Sequence, residues 1–121
     1  MPREFAPGEF LMRQGTASDE ILFIESGRIT IHLDLDDGRV VRLRSMTSGT
    51  TIGEIGMYLK QPRTASAVAD LHTRAFVLSI ERLREMEVND PALAHAMHYV
   101  TVALLSARLA GTNSLVQRLI T

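Results

Sequence analysis

Residues 52–69 read IGEIGMYLKQPRTASAVA. A carboxylate, Glu54, stands between Gly53 and Gly56, and Arg63 follows Pro62 and precedes the small residues Thr64, Ala65 and Ser66. A stretch that only filled a core needs neither the glycines nor the two opposite charges. Glycine lets backbone approach closely. Arginine presents a planar fork of donors that suits a phosphate, which lysine lacks. A short helix opening after Gly53 would direct unpaired N–H groups at an anion. On spacing alone two readings stay open. One is a surface ion pair between Glu54 and Arg63. The other is a site in which Arg63 meets a phosphate and Glu54 accepts a hydrogen bond from a ribose hydroxyl.

Around this stretch the chain reads as short strands. ILFIES (21–26) is followed by Gly27. RITIHLDL (28–35) alternates, with Ile29, Ile31, Leu33 and Leu35 on one face and Arg28, Thr30, His32 and Asp34 on the other. Asp36-Asp37-Gly38 carries hairpin turn chemistry. RVVRLRSM (39–46) returns, with Val41 and Leu43 predicted inward and Arg42 and Arg44 outward. ASAVAD and TRAFVLSI add two more strand-like runs. Short strands at regular spacing predict a sandwich or barrel. From residue 80 the pattern is helical. IERLREMEV is a short amphipathic segment. A longer helix opens at Asn89 or Asp90 as N-cap with Pro91 in its first turn, and Gly111 predicts a bend. On it Leu93, Met97, Val100, Leu104 and Ala107 form one predicted packing stripe, and Val102, Leu105 and Leu109 lie off it. Apolar residues on more than one side leave two readings open: packing within its own domain, or a partner helix, as in a homodimer or against a fused domain.

Composition narrows the function classes. The chain has 121 residues, 45% hydrophobic and 22% charged, with a net charge of −1. That suits one globular domain and offers no general electrostatic attraction for nucleic acid or an anionic membrane. Cysteine is absent, which removes disulfides, thiol nucleophiles and zinc-finger spacings and fits a cytoplasmic setting, including the cytoplasmic face of a membrane protein. No signal peptide or membrane-spanning run is read. The ten residues after Gly111 are too few for a helix-turn-helix, so no nucleic-acid partner is expected of this chain.

His32 and Asp34 form H-x-D, half of a two-histidine, one-carboxylate iron site, with His72 as the third ligand of a metal-dependent β-helix oxygenase. Alternation places His32 and Asp34 on the polar strand face, which favours an exposed hairpin instead. Asp34 to Gly38 resembles the start of a calcium loop, but its twelfth position is Ser45 rather than glutamate. His95 and His98 share a helix face without a third ligand. No metal and no catalytic residues are assigned.

The segments PGEFLMRQGTASDEILFIESGRITI and SGTTIGEIGMYLKQPRTASAVA resemble the cyclic nucleotide-binding domain family. Catabolite activator proteins, regulatory subunits of cyclic-AMP-dependent kinase and gating domains of nucleotide-gated channels belong to it. The resemblance rests on Pro7-Gly8-Glu9, Gly15, residues 22–27, Gly49, Gly53-Glu54 and Pro62 to Ala65. It implies a mainly β fold with C-terminal helices, an eight-stranded jelly-roll β-roll (a double-stranded β-helix). It implies a single domain over 1–121: a roll over 1–80 with a phosphate-binding cassette at 52–66, then helices over 81–121. It implies a non-enzymatic sensor whose ligand is cAMP or cGMP, with Glu54 on the ribose and Arg63 on the phosphate. Gly53, Ile55, Gly56, Thr64 and Ala65 complete the ligand-binding set through backbone or hydroxyl groups. Thr112 and Asn113 match the place where the catabolite-activator helix contacts adenine. Thr64 resembles the position where a hydroxyl meets the guanine amino group. Ile52 stands where the family often has Phe, and the helix usual ahead of the roll is read as missing or clipped. The cassette looks most like that of modules appended to bacterial sulfate-permease-type transporters. A degenerate roll serving only as an interaction domain is the alternative.

Overall fold

The computed structural model describes Pro2–Ile120, with the side chains of Leu115 and Val116 excepted. The elements are β1 (Pro2–Phe5), β2 (Phe10–Met12), β3 (Glu20–Ser26), β4 (Ile29–Asp34), β5 (Val40–Met46), β6 (Thr50–Ile52), α1 (Glu54–Leu59), β7 (Ser66–Ala69), β8 (Thr73–Ser79), α2 (Ile80–Asn89) and α3 (Pro91–Ile120). Two compact units divide the chain, one ending at Arg82 and the other beginning at Leu83.

In the first unit eight strands form two antiparallel four-stranded sheets, ordered β1-β8-β3-β6 and β2-β7-β4-β5. This is the jelly-roll arrangement that the resemblance implied. One apolar cluster takes Phe5, Leu22, Ile24, Ile52 and Ala75 from the first sheet and Leu11, Ile29, Ile31, Ala67 and Ala69 from the second. Full burial of each large side chain contributes about 1.5–3 kcal/mol. The alanines keep β7 and β8 thin where the inner faces meet.

The sequence reading missed β1, β2 and β6. Strands of three or four residues are too short to display a period. It also misjudged β5. Val41 and Leu43, predicted inward, are 40% and 52% exposed. β5 is the last strand of its sheet and pairs only with β4. Between Ile31 and His32 the register shifts, so that Ile31 faces Arg44 and His32 faces Arg42, leaving Leu43 as an extra residue. Such a bulge interrupts the alternation on which the inward assignment rested. The expected polar face of β4 is real at His32 and Asp34, but Thr30 on that face is buried. Its hydroxyl donates to Asp70 Oδ2 at 2.7 Å and accepts from Arg42 Nη2 at 3.3 Å.

In the second unit α3 starts as expected. Asp90 Oδ1 accepts from the Leu93 amide at 3.2 Å, and Pro91 occupies the first helical position. The helix continues through Gly111 to Ile120, since one glycine costs only about 1 kcal/mol. One expectation fails. Among the described side chains of α3 the buried positions are Ala94 and Thr101, whereas Leu93 and Val100 of the predicted stripe are exposed. Met97 and Leu104 are half-buried. Thr101 tolerates burial because its hydroxyl donates to the Met97 carbonyl at 2.8 Å. No helix among the described residues is long and apolar enough to cross a membrane.

Candidate functional site

Chain direction reverses after β6 at Gly53, which has φ +88° and caps α1. That left-handed conformation suits glycine. A second constraint is steric. A Cβ at Gly53 would strike Arg63 Nη1 and stand 2.8 Å from the Glu20 carbonyl oxygen. At Gly56, one turn into α1, a Cβ would strike Ser18 Oγ and come within 2.9 Å of the Gln61 carbonyl. At both glycines the protein's own atoms approach the backbone too closely for a Cβ. Beyond the short helix, Lys60 takes a left-handed conformation, and the Gly56 carbonyl accepts from the Lys60 and Gln61 amides.

Arg63 is 5% exposed and Glu54 is 1% exposed. The surface ion-pair reading fails on that burial. Arg63 Nη1 donates to the Gly53 carbonyl at 3.0 Å. Burial pushes the guanidinium below its ordinary range, while Asp19, Glu20 and Glu54 pull it back. An arginine with this much electrostatic support stays protonated at neutral pH. Its backbone is held as firmly as its side chain. The Arg63 amide donates to Thr16 O at 2.8 Å, and the Gly15 amide donates to Arg63 O at 2.8 Å. Arg63 lies in neither helix nor strand, so this pair of bonds sets its place.

Arg63 thus contacts Gly53, Glu54 acts on its guanidinium electrostatically, and Gly56 packs against Ser18 and Gln61. Ala65 is buried, and Ile55 and Thr64 are exposed. Thr112 and Asn113 lie on α3 in the second unit, both exposed, and the Thr112 hydroxyl donates to the Arg108 carbonyl at 3.1 Å. Sequence reasoning missed Ser18 and the segment 14–16. Only Gly15 was singled out there, and its partner Arg63 is too far along the chain to be read locally.

The iron-site constellation does not assemble. Asp34 is the last residue of β4, and the His32 ring sits edge-on to Phe10 with centroids 6.0 Å apart. His72 belongs to the other sheet's end, 3.4 Å from Glu4 on β1. Among the described residues no three His, Cys, Asp or Glu side chains group as a metal set.

Residues 2–90 match the family model of the cyclic nucleotide-binding domain. The human potassium/sodium hyperpolarization-activated cyclic nucleotide-gated channel 3 is 29% identical over 114 residues, covering 94% of this chain and 14% of the channel. A crystal structure of a cyclic nucleotide-binding domain from Methylobacillus flagellatus superposes with a TM-score of 0.88 at 26% identity, over 97% of this chain and 66% of that one. The regulatory subunit of a cAMP-independent protein kinase A from Trypanosoma brucei, a mutant bound to cAMP, shares the fold with a TM-score of 0.65 at 23% identity, over 73% of this chain and 31% of that one. This chain therefore spans a small part of the channel it resembles, and its likeness to channels and regulators is a likeness to one of their modules. With the family model matched over most of its length and the jelly roll in place, the chain belongs to the cyclic nucleotide-binding domain family.

Proposed function

We propose that residues 53–65 bind a cyclic nucleotide and that the chain acts as a non-catalytic regulatory module. The observation that carries this reading is the buried arginine, anchored through its backbone to residues 15 and 16 and through its side chain to the carbonyl of Gly53, with the negative charge of Asp19, Glu20 and Glu54 acting on it. Burying a guanidinium is costly, and a roll of this kind needs no arginine for packing. Arg63 uses one donor on Gly53, and its remaining donors form the fork for the cyclic phosphate. Glu54 accepts from the ribose 2′-OH, and the backbone of Gly56 and Ala65 completes the cradle. Each charge-assisted hydrogen bond contributes about 1.5–3 kcal/mol. A few of these with base burial reach the ~8 kcal/mol of micromolar affinity. The regulatory subunit that shares the fold is a mutant from a cAMP-independent kinase bound to cAMP, which supports a cyclic nucleotide as the ligand class; cAMP is expected to bind at least as well as cGMP. We place the module in the cytoplasm, within a larger transporter or signalling protein, with α3 as the surface toward a partner.

The test is calorimetric titration of the protein with cAMP and cGMP, alongside Arg63→Ala. The wild type should bind with micromolar affinity. Removing the phosphate's charged partner should weaken binding by about 2–4 kcal/mol. Equal affinity in Arg63→Ala refutes the site. A wild type that binds neither nucleotide points to the interaction-domain alternative.

A further inference from the structure

Gln14 follows β2 and is held at both ends. Its backbone amide donates to Ser66 Oγ at 2.9 Å, and Ser66 on β7 is 2% exposed. Its side-chain amide grips the backbone of Asp34, the last residue of β4. Oε1 accepts from the Asp34 amide at 2.8 Å, and Nε2 donates to the Asp34 carbonyl at 3.1 Å. The partners dictate the orientation of the side-chain amide, since a flip would set donor against donor and acceptor against acceptor. Asn and Gln carry a donor and an acceptor side by side on one planar amide, as a peptide unit does, and Gln has the longer stem. It acts here as a substitute peptide unit at the end of the β4 ladder. The next two residues make the backbone pair with Arg63: Gly15 N to Arg63 O and Arg63 N to Thr16 O, both 2.8 Å.

We propose that Gln14 is a positioning residue for Arg63 and couples it to the β4–β5 hairpin. This rests on the reading of Arg63 as the phosphate partner. The segment 14–16 is a splint: Ser66 and Asp34 fix its start, and it in turn fixes the irregular backbone at Arg63. The hairpin tip is closed on itself by Leu35 N to Arg39 O at 2.8 Å and Gly38 N to Leu35 O at 3.0 Å. A ligand that draws the Arg63 guanidinium loads the backbone of residue 63, then residues 15 and 16, then the Gln14 amide and Asp34. Coupling of this kind needs a contiguous physical chain, and every non-covalent link of this one is a hydrogen bond of 3.1 Å or less.

The experiment compares the wild type with Gln14→Ala, Gln14→Glu, Arg63→Ala and the Gln14→Ala/Arg63→Ala double variant. It measures cAMP affinity by calorimetry, amide exchange at Gly15, Asp34 and Arg63, and melting to establish that each variant folds. Gln14→Ala should bind cAMP about five- to tenfold more weakly, the loss expected when a positioning hydrogen bond is removed. Gln14→Glu keeps the acceptor for the Asp34 amide and loses the donor, so it should fall between. In the Arg63→Ala background Gln14→Ala should change affinity no further. Without ligand, the Gly15 and Arg63 amides should exchange faster in Gln14→Ala, and in the wild type cAMP should slow exchange at Asp34. Unchanged affinity in Gln14→Ala beside a weakened Arg63→Ala overturns the proposal, as does full additivity in the double variant. If Arg63→Ala binds like the wild type, the phosphate reading falls instead. The ligand-free exchange at Gly15 and Arg63 then still decides the link to Gln14, and wild-type rates there overturn it.

Discussion

Replacing Gly53 by alanine tests how tightly the backbone and Arg63 are interlocked. The new methyl group meets two obstacles. Glu20 O, 2.8 Å away, is backbone at the start of β3, where Glu20 pairs with Ser79 of β8, and yields less readily than a side-chain end. Arg63 Nη1 is the end of a flexible side chain and must move, which breaks its 3.0 Å bond to the Gly53 carbonyl. A left-handed conformation costs alanine about 1–2 kcal/mol, and losing a charged hydrogen bond costs about 1.5–3 kcal/mol. The expected destabilisation is therefore roughly 3–5 kcal/mol, or about 10–20 °C in Tm for a chain of this size. Gly8→Ala is the control. Gly8 also has positive φ, +89°, but nothing lies within 4 Å of its added Cβ, so it should lose only the conformational term. Urea unfolding of the two variants measures the difference, and titration with cAMP should show weaker binding in Gly53→Ala alone. Equal destabilisation by both substitutions, with equal cAMP affinity, would refute the claim that Arg63 is locked against Gly53.

Three further outcomes are expected. Glu54→Gln should weaken binding less than Arg63→Ala and narrow the gap between cAMP and its 2′-deoxy analogue, since a neutral amide is a weaker acceptor for the ribose hydroxyl; competition binding with the two compounds reads this out. Thr64→Ala should reduce cGMP affinity more than cAMP affinity, because the exposed hydroxyl is the group assigned to the guanine amino contact; a strong native preference for cGMP would show that Thr64 matters more than assigned. Cyclic nucleotide should slow amide exchange over residues 104–121 as well as 52–66 if α3 relays binding, and protection confined to 52–66 would exclude α3 as the relay.

Local chemistry was sufficient for a good part of this protein. The alternation from Ile29 to Asp34, the Asp-Asp-Gly turn and the returning strand specify a hairpin, because each side chain's face follows from its position in an extended chain. Asp90-Pro91 announces α3 because capping and fixed φ act within one turn. Gly53, Gly56 and Arg63 stand out because their residue types suit close approach and anion binding wherever they lie. Tertiary structure decided the rest. Whether Glu54 and Arg63 form a surface pair or a buried site depends on β3, with Glu20 beside Gly53, and on residues 15 and 16 hydrogen bonding to residue 63. Val41 and Leu43 are exposed because β5 became an edge strand with a bulge, which alternation cannot reveal. On α3 the buried side follows Ala94 and Thr101 rather than the largest apolar residues. Burial is a property of neighbours, and in a jelly roll the neighbours of a strand come from distant parts of the chain, as β3 with β8 and β2 with β7 do here.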